Sequence, residues 1–551
     1  MFRITEKKGL LAILGGFFLL LIPAATQIYH QDEYRWISEM NRTDLDPHIH
    51  PPLYFLLGRA WGLLVGFGHE RWVPALFAIA NVILVYAIVN MFTKRRDLGL
   101  VGAGLFAFSA YSVLAATQID IDGALLPFFV LLMYLAYLNL PQKNSRWYWV
   151  FGIAVIGGLL TKLSFMLGVV ALAGDWTIRM IIEKNMPVGG FARRYWKWFA
   201  VAVGALGVAY LSLVYFLPGI LSYAEGFKVF DFGHRAYFDL GFKILKSLVL
   251  LGPLLFLGGL AVLWQPNAWY KYRFFWLYLI FCTLFYAVVF DFTTLTIERY
   301  FMFMIAPFAI LAVEPISELI AIVKSYRDWW RLTAISAVAI AFLGYVLSLP
   351  RHILPLDPKL AYARHVLSGH WNFLIPITGG SGPIGFYVSA LFIAFAWGIV
   401  LLALIATRSK QDLVRAGGAI LFLVVGLFSI TIVLEEFLFG GIYGSPNRLA
   451  WETLHYVDAN PAIHQQDVIT YYDIAPYDLR LSGKYFSRFY TTATRDYVPK
   501  VTTFRGYYMI VDFPYIGTDD RYWKLITRCP IEKQFQDKLI YSYVFDCTKL
   551  K

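Results

Sequence analysis

Residues 72–92 read WVPALFAIANVILVYAIVNMF, an unbroken apolar run without Asp, Glu, Lys or Arg, closed by the basic triplet Lys94-Arg95-Arg96. As a helix, a run of this length rises far enough to cross the ~30 Å hydrocarbon core of a bilayer. Runs of the same kind fall at about 9–29, 98–116, 123–140, 148–161, 163–182, 198–217, 243–264, 274–291, 300–320, 332–349, 385–406 and 417–438, so the reading is thirteen spans. Composition agrees: 59% of the 551 residues are hydrophobic and 15% charged, against ~25% charged in a soluble domain. Membrane lipids, rather than a packed core, must solvate most of this surface. The formal charge of +12 gathers in short loops between spans, which excludes a nucleic-acid partner as its explanation. Three cysteines exclude a disulfide-dense scaffold and a cysteine zinc module.

The charge pattern fixes the expected topology. Spans 148–161 and 163–182 form one apolar stretch interrupted at Thr161-Lys162. If the chain turns back there and Arg3, Lys7 and Lys8 are cytoplasmic, every basic cluster lies inside: 94–96, Lys143 with Arg146, Arg193-Arg194 with Lys197, Lys271 with Arg273, Lys324 with Arg327, and Arg408 with Lys410. One continuous helix would turn the last four clusters outward. The expectation is a multi-pass protein of the plasma (inner) membrane. A transmembrane module, 1–440, precedes an extracytoplasmic α/β domain, 441–551. A signal peptide ending near Ala24-Ala25-Thr26 is the rival reading of the first span, but the apolar run is long for one. Segments 30–71, 218–242 and 350–384 then lie outside. So does the tail, which alternates strands (Val468–Tyr471, Tyr507–Val511) with helix-like stretches at 449–457 and 519–526. Cys529 and Cys547 are expected to form a disulfide there, in an oxidising compartment, and Cys282 to be a free buried thiol.

The first outer loop carries the chemistry. It reads Gln31-Asp32-Glu33-Tyr34-Arg35-Trp36, then His48-Ile49-His50-Pro51-Pro52-Leu53-Tyr54. Adjacent carboxylates at a membrane surface are a functional hypothesis by default, although Asp32 as a plain helix cap is the competing account. Asp120 and Asp122 lie on the outer turn before span four, Lys162 at the outer turn after span five, and Glu298-Arg299-Tyr300 at the outer start of span ten. Singly these read as turn acids, a snorkelling lysine, or an arginine paired with Glu298 or Asp291. Together they gather acids and cations on one face. A carboxylate there can act as base on an acceptor hydroxyl or amine, and Lys and Arg can hold the growing charge of a phosphate leaving group. Segments 34–46 and 54–67 read as helices lying in the interface.

These motifs resemble those of the GT-C glycosyltransferases, in the branch of the dolichyl-phosphate-mannose protein mannosyltransferases and the bacterial aminoarabinose lipid A transferases. The likeness rests on Asp32-Glu33, then His50-Pro51-Pro52-Leu53-Tyr54-Phe55, Asp122 with the apolar run after it, Leu160-Thr161-Lys162, and Glu298-Arg299-Tyr300. It implies a GT-C fold, about thirteen transmembrane helices with a small C-terminal α/β extracytoplasmic domain. It also implies Asp32 as catalytic base with Glu33 supporting the loop, and Lys162 and Arg299 as contacts of the donor phosphate. Tyr300, Asp122, His50 and Tyr54 complete the substrate-binding set. The chain departs from the aminoarabinose transferases just before Pro51-Pro52, where Ile49 and His50 replace an acid and a lysine. The acid is associated there with a metal, so any divalent metal here needs other ligands: Asp120, Asp122 and His234 are the candidates, with His48 and His50 beside them. The resulting reading is an inverting transferase moving a sugar from a polyprenyl-phosphate donor to a lipid, glycan or protein acceptor outside the membrane. A lipid-linked sugar transporter or flippase is the alternative, which calls for ionisable groups in mid-span. A non-catalytic scaffold is the third.

Overall fold

The computed structural model describes residues 2–27, 33, 36–37, 40, 51–66, 68–142, 144–183, 186–187, 189–190, 193–197, 200, 204, 207–208, 211, 237–289, 298–354, 360–377, 385–464, 466, 468–470, 489–491, 505–511 and 528–549. Its longer helices among the described residues are α1 (Phe2–Ala25), α2 (Leu53–Val65), α3 (Trp72–Thr93), α4 (Arg96–Ala107), α5 (Ala110–Thr117), α6 (Leu126–Asn139), α7 (Ser145–Thr161), α8 (Phe165–Ile178), α9 (Tyr237–Leu251), α10 (Pro253–Ala261) and α11 (Ala268–Leu284). They continue with α12 (Ile305–Leu311), α13 (Val313–Ser325), α14 (Trp329–Ser348), α15 (Leu360–Leu367), α16 (Ala390–Ala406), α17 (Asp412–Phe439) and α18 (Pro446–Ala459). Among the described residues, 7 helices are long and apolar enough to cross a membrane, or 10 if each of three bent pairs counts as one span. The chain is an integral membrane protein. Apart from the run at 198–217, most of which lies outside the described residues, each expected span coincides with a helix or a bent pair.

The bends have local causes. The α4–α5 pair turns by 65° where Ser109 leaves the helix and caps the next one, its hydroxyl accepting from the Ser112 amide at 3.0 Å. The 91° turn between α9 and α10 falls at Gly252, whose φ of +80° suits glycine, followed by Pro253 at the first helical position.

The break at Lys162 is a reversal. Lys162 ends α7 in extended backbone, and its ammonium meets Asp122 at the start of the α6 span. The far end of α8 lies against the far end of α6, where the Arg179 guanidinium sits 5.5 Å from the Tyr137 ring. So α7 runs antiparallel to α6 and α8 returns parallel to it, as the two-span reading requires.

One expected boundary moves. The run at 385–406 begins as a strand, Phe386–Ser389, and becomes helix only at Ala390. This strand, β3, pairs antiparallel with β2 (Phe373–Ile377), which pairs parallel with β1 (His352–Ile353). Both faces of β2 and β3 are buried. Phe373, Ile375, Ile377, Phe386 and Val388 join the core of the helical bundle, while Leu374 and Tyr387 join the core of the C-terminal domain. The period-two alternation of a strand thus sets one plate between two cores.

The C-terminal domain is a five-stranded sheet with β5 (Phe489–Thr491), β4 (Val468–Thr470), β6 (Tyr507–Val511), β8 (Ile540–Asp546) and β7 (Ile531–Asp537) as spatial order. Pairing is parallel among β5, β4 and β6 and antiparallel thereafter. Helix α18 covers one face, with Leu449, Leu454 and Val457 against Val544 and Met509. The expected strands and the helix at 449–457 are present; the stretch 519–526 lies outside the described residues. The Cys529–Cys547 disulfide is formed, and Cys282 is free and buried.

Candidate active site

The site is a chain of buried charges at the end of the bundle where α1, α3, α5, α7 and the 298–304 turn converge. Residues 33, 36, 37 and 40 share one helical face, and Glu33, Trp36, Ile37 and Met40 are all buried. Glu33 accepts two hydrogen bonds from Arg71, Nε to Oε1 at 3.0 Å and Nη2 to Oε2 at 2.7 Å. Its Oε1 also accepts from the Ile119 amide at 2.9 Å. Arg71 turns its other nitrogen to the carbonyls that end α1, at Ala24 (3.4 Å), Ala25 (3.3 Å) and Gln27. A planar fork suits this bidentate load.

From Ile119 the chain enters the acids. The Asp120 carboxylate accepts from the Asp122 amide at 2.7 Å and so caps a single π-helical turn, Ile121–Leu125, that opens the α6 span. A π turn misplaces backbone carbonyls; here Asn81 Nδ2 donates to the Ala124 carbonyl at 2.8 Å. Gly123 lets this turn approach α5, since a Cβ there would lie 2.6 Å from the Ala115 carbonyl oxygen. Both Asp122 oxygens take hydrogen bonds from Lys162 Nζ, at 2.5 and 2.7 Å. Arg299 Nη1 pairs with Asp120 Oδ2 at 2.9 Å; Asp291, one of the partners the competing account offered, lies outside the described residues. Lys162 Nζ and the Arg299 guanidinium lie 4.8 and 5.2 Å from the centroid of the Tyr300 ring, so one aromatic ring serves both cations. Burial pushes the Asp120 carboxyl up from its ordinary value, against the pull of Arg299 and with a further push from Asp122.

Tyr54 is fully buried at the foot of α2, its ring edge-on to Trp36 at 5.3 Å. Burial foremost, with Asp120 and Glu33 adding, raises its phenol and keeps it neutral. Asp32, His48, His50 and His234 lie outside the described residues. Asp120 and Asp122 are engaged by Arg299 and Lys162, and no three His, Cys, Asp or Glu side chains among the described residues are grouped to hold a metal ion.

One cavity lies within the cluster, and a groove lies apart from it along α9. The cavity, of about 10 Å³, has room for one water and is lined by Asp122, Ser164, Tyr278, Tyr286, Arg299 and Tyr300. An apolar groove of about 740 Å³ lies between α9, α15, β2 and α16, with Phe238, Phe242, Leu245, Tyr362, Phe373 and Trp397 among its walls. Helix α9, which lines this groove, also packs on the 298–304 turn.

The structure therefore brings Glu33, Tyr54, Asp120, Asp122, Lys162, Arg299 and Tyr300 into one connected site. The residue that sequence reading missed is Arg71. Its signal was present: an arginine flush with the start of span two, on the side opposite to the basic clusters in the expected topology.

A membrane protein with such a cluster at one end of its bundle can be set beside known ones. Residues 49–209 match the family model described as dolichyl-phosphate-mannose-protein mannosyltransferase. The matched segment takes in Pro51-Pro52, Asp122 and Lys162. Among solved structures, ArnT from Cupriavidus metallidurans in the apo state is 14% identical, covers 98% of each chain and has a TM-score of 0.49. The same protein bound to undecaprenyl phosphate is 14% identical, covers 97% of each chain and scores 0.47. The apo oligosaccharyltransferase of Archaeoglobus fulgidus is 11% identical, covering 94% of this chain and 72% of its own, with a TM-score of 0.47. No curated protein sequence matches. Over residues 49–209 the chain is thus similar to the dolichyl-phosphate-mannose-protein mannosyltransferase family.

Proposed function

We propose that the protein transfers a sugar from a polyprenyl-phosphate donor to an acceptor hydroxyl or amine at the extracytoplasmic face, with inversion at the sugar carbon. The observation that carries this reading is the convergence of Lys162 and Arg299, far apart in sequence, on one Tyr300 ring. Two cations at a bundle end suit an anionic headgroup. The apolar groove along α9 suits the isoprenoid chain of the same donor. In the reaction, Asp32 accepts the acceptor's proton, the acceptor oxygen or nitrogen bonds to the anomeric carbon, and the carbon–oxygen bond to phosphate breaks. The phosphate gains negative charge as it leaves, and cations stabilise that charge. Glu33 acts indirectly, by fixing the first loop to Arg71 and Ile119.

The test pairs turnover of a radiolabelled polyprenyl-phosphate hexose with binding of the same lipid. Asp32→Asn is expected to lower turnover ~10²–10⁴-fold, the usual worth of a general base, with donor binding retained. Arg299→Ala is expected to weaken donor binding as well. Wild-type turnover in Asp32→Asn overturns the mechanism, and translocation of the lipid without transfer in the wild-type chain overturns the function.

A further inference from the structure

The geometry points to Asp122 as a displaceable counter-ion of Lys162: it holds the ammonium while no phosphate is bound, yields it to the donor, and reclaims it after transfer, driving the product phosphate out. This rests on the proposed glycosyl transfer and goes beyond it. The donor is a phosphodiester with one negative charge. Transfer leaves a phosphomonoester, whose second ionisation near pH ~6 gives it up to two. Cations that stabilise the leaving group therefore bind the product more tightly than the donor. Repeated turnover needs a competitor inside the site.

Asp122 has the position and chemistry for that role. Its carboxylate cannot attract a phosphate, yet it lies within the cluster, with both oxygens on Lys162 Nζ at 2.5 and 2.7 Å. Two of the three ammonium donors are thus committed in the phosphate-free chain. Lys162 follows the last residue of α7 on extended backbone, and a four-carbon stem lets its charge swing between partners. The two cations are unlike in this respect. Arg299 pairs with Asp120, whose other oxygen caps the π turn, so that carboxylate has a backbone duty and cannot move freely. Asp122 carries its amide in that cap, but its carboxylate serves Lys162. One cation is anchored and the other exchanges. The competing account is a plain structural ion pair clasping α6 to α7.

The experiment uses the full chain in lipid nanodiscs, with farnesyl phosphate as probe and farnesol as the phosphate-free control. Asp122→Asn is expected to bind farnesyl phosphate about tenfold tighter than wild type, on the scale of one charge-assisted hydrogen bond released from a competitor. Farnesol affinity is expected to be unchanged, and steady-state turnover to fall while the first turnover persists. Unchanged or weaker farnesyl phosphate binding in Asp122→Asn overturns the proposal and leaves the structural ion pair. Where that variant does not fold, infrared difference spectra of the wild-type chain decide. Farnesyl phosphate, but not farnesol, is expected to shift a carboxylate band that is missing from the Lys162→Gln difference spectrum; no such shift overturns the proposal. A wild-type chain that does not prefer farnesyl phosphate to farnesol contradicts the glycosyltransferase reading itself.

Discussion

Arg71→Ala is the most informative single change outside the reacting groups. Arg71 and Glu33 are 3% and 0% exposed, so the carboxylate left behind has no access to water. Breaking a buried pair from one side costs about 3–5 kcal/mol, because the remaining charge is stranded. The α1 carbonyls at Ala24, Ala25 and Gln27 lose their donor in the same step. The upper half of that range is therefore expected, a shift of roughly a thousandfold in the opening equilibrium of this region. Arg71→Lys keeps the charge without the fork and is expected to fall between. The double variant Glu33→Gln/Arg71→Met removes both charges, and neutralising a buried pair is close to neutral. It is expected to recover most of the loss. The assay is retention of monodisperse protein after graded heating, compared across wild type, the single variants and the double, as a mutant cycle. Wild-type heat resistance in Arg71→Ala, or a double variant no better than that single one, would refute the stranded-charge argument.

Three further outcomes are expected. Gly123→Ala puts a methyl group 2.6 Å from the Ala115 carbonyl, costs about 1–3 kcal/mol as overpacking, and should weaken donor binding by shifting Asp122 and hence Lys162; unaltered heat resistance and binding would show that the turn has room. Replacing Cys529 and Cys547 by serine opens a loop of 18 residues, at a cost on the order of 3 kcal/mol, and should speed proteolysis beyond residue 440; equal cleavage rates would count against it. His352 lies beside His365, ring centroids 5.8 Å apart; burial first, then His365 and His370, lowers its proton affinity in the folded chain. The unfolded chain, titrating near ~6.5, then binds more protons, so stability should fall as pH drops below that value, and His352→Gln should flatten the melting temperature between pH 7.5 and 5.5.

How much of this was legible in the sequence depends on the range of each interaction. Spans are legible because a helix in lipid satisfies its own backbone, so length and composition suffice to mark it. The reversal at Lys162 is legible because one charge interrupts an apolar run and the surrounding basic clusters choose between two topologies. Phe386-Tyr387-Val388-Ser389 defeats the same logic. A strand buried on both faces is as apolar as the start of a helix, and only its partner at 373–377, beyond the local window, tells them apart. The site divides in the same way. Asp32-Glu33, Asp120, Asp122, Lys162 and Arg299 stand out singly, as charges at span ends. Their pairing does not, because Glu33 and Arg71 are 38 positions apart and Asp122 and Lys162 are 40. Arg71 belongs to none of the basic clusters that set the expected orientation, and the charge pattern puts it on the opposite side from them. A basic residue that violates the inward bias at a span end has to be stabilised by a partner. Here the search for that partner leads through Glu33 and Ile119 to the acids and cations of the site.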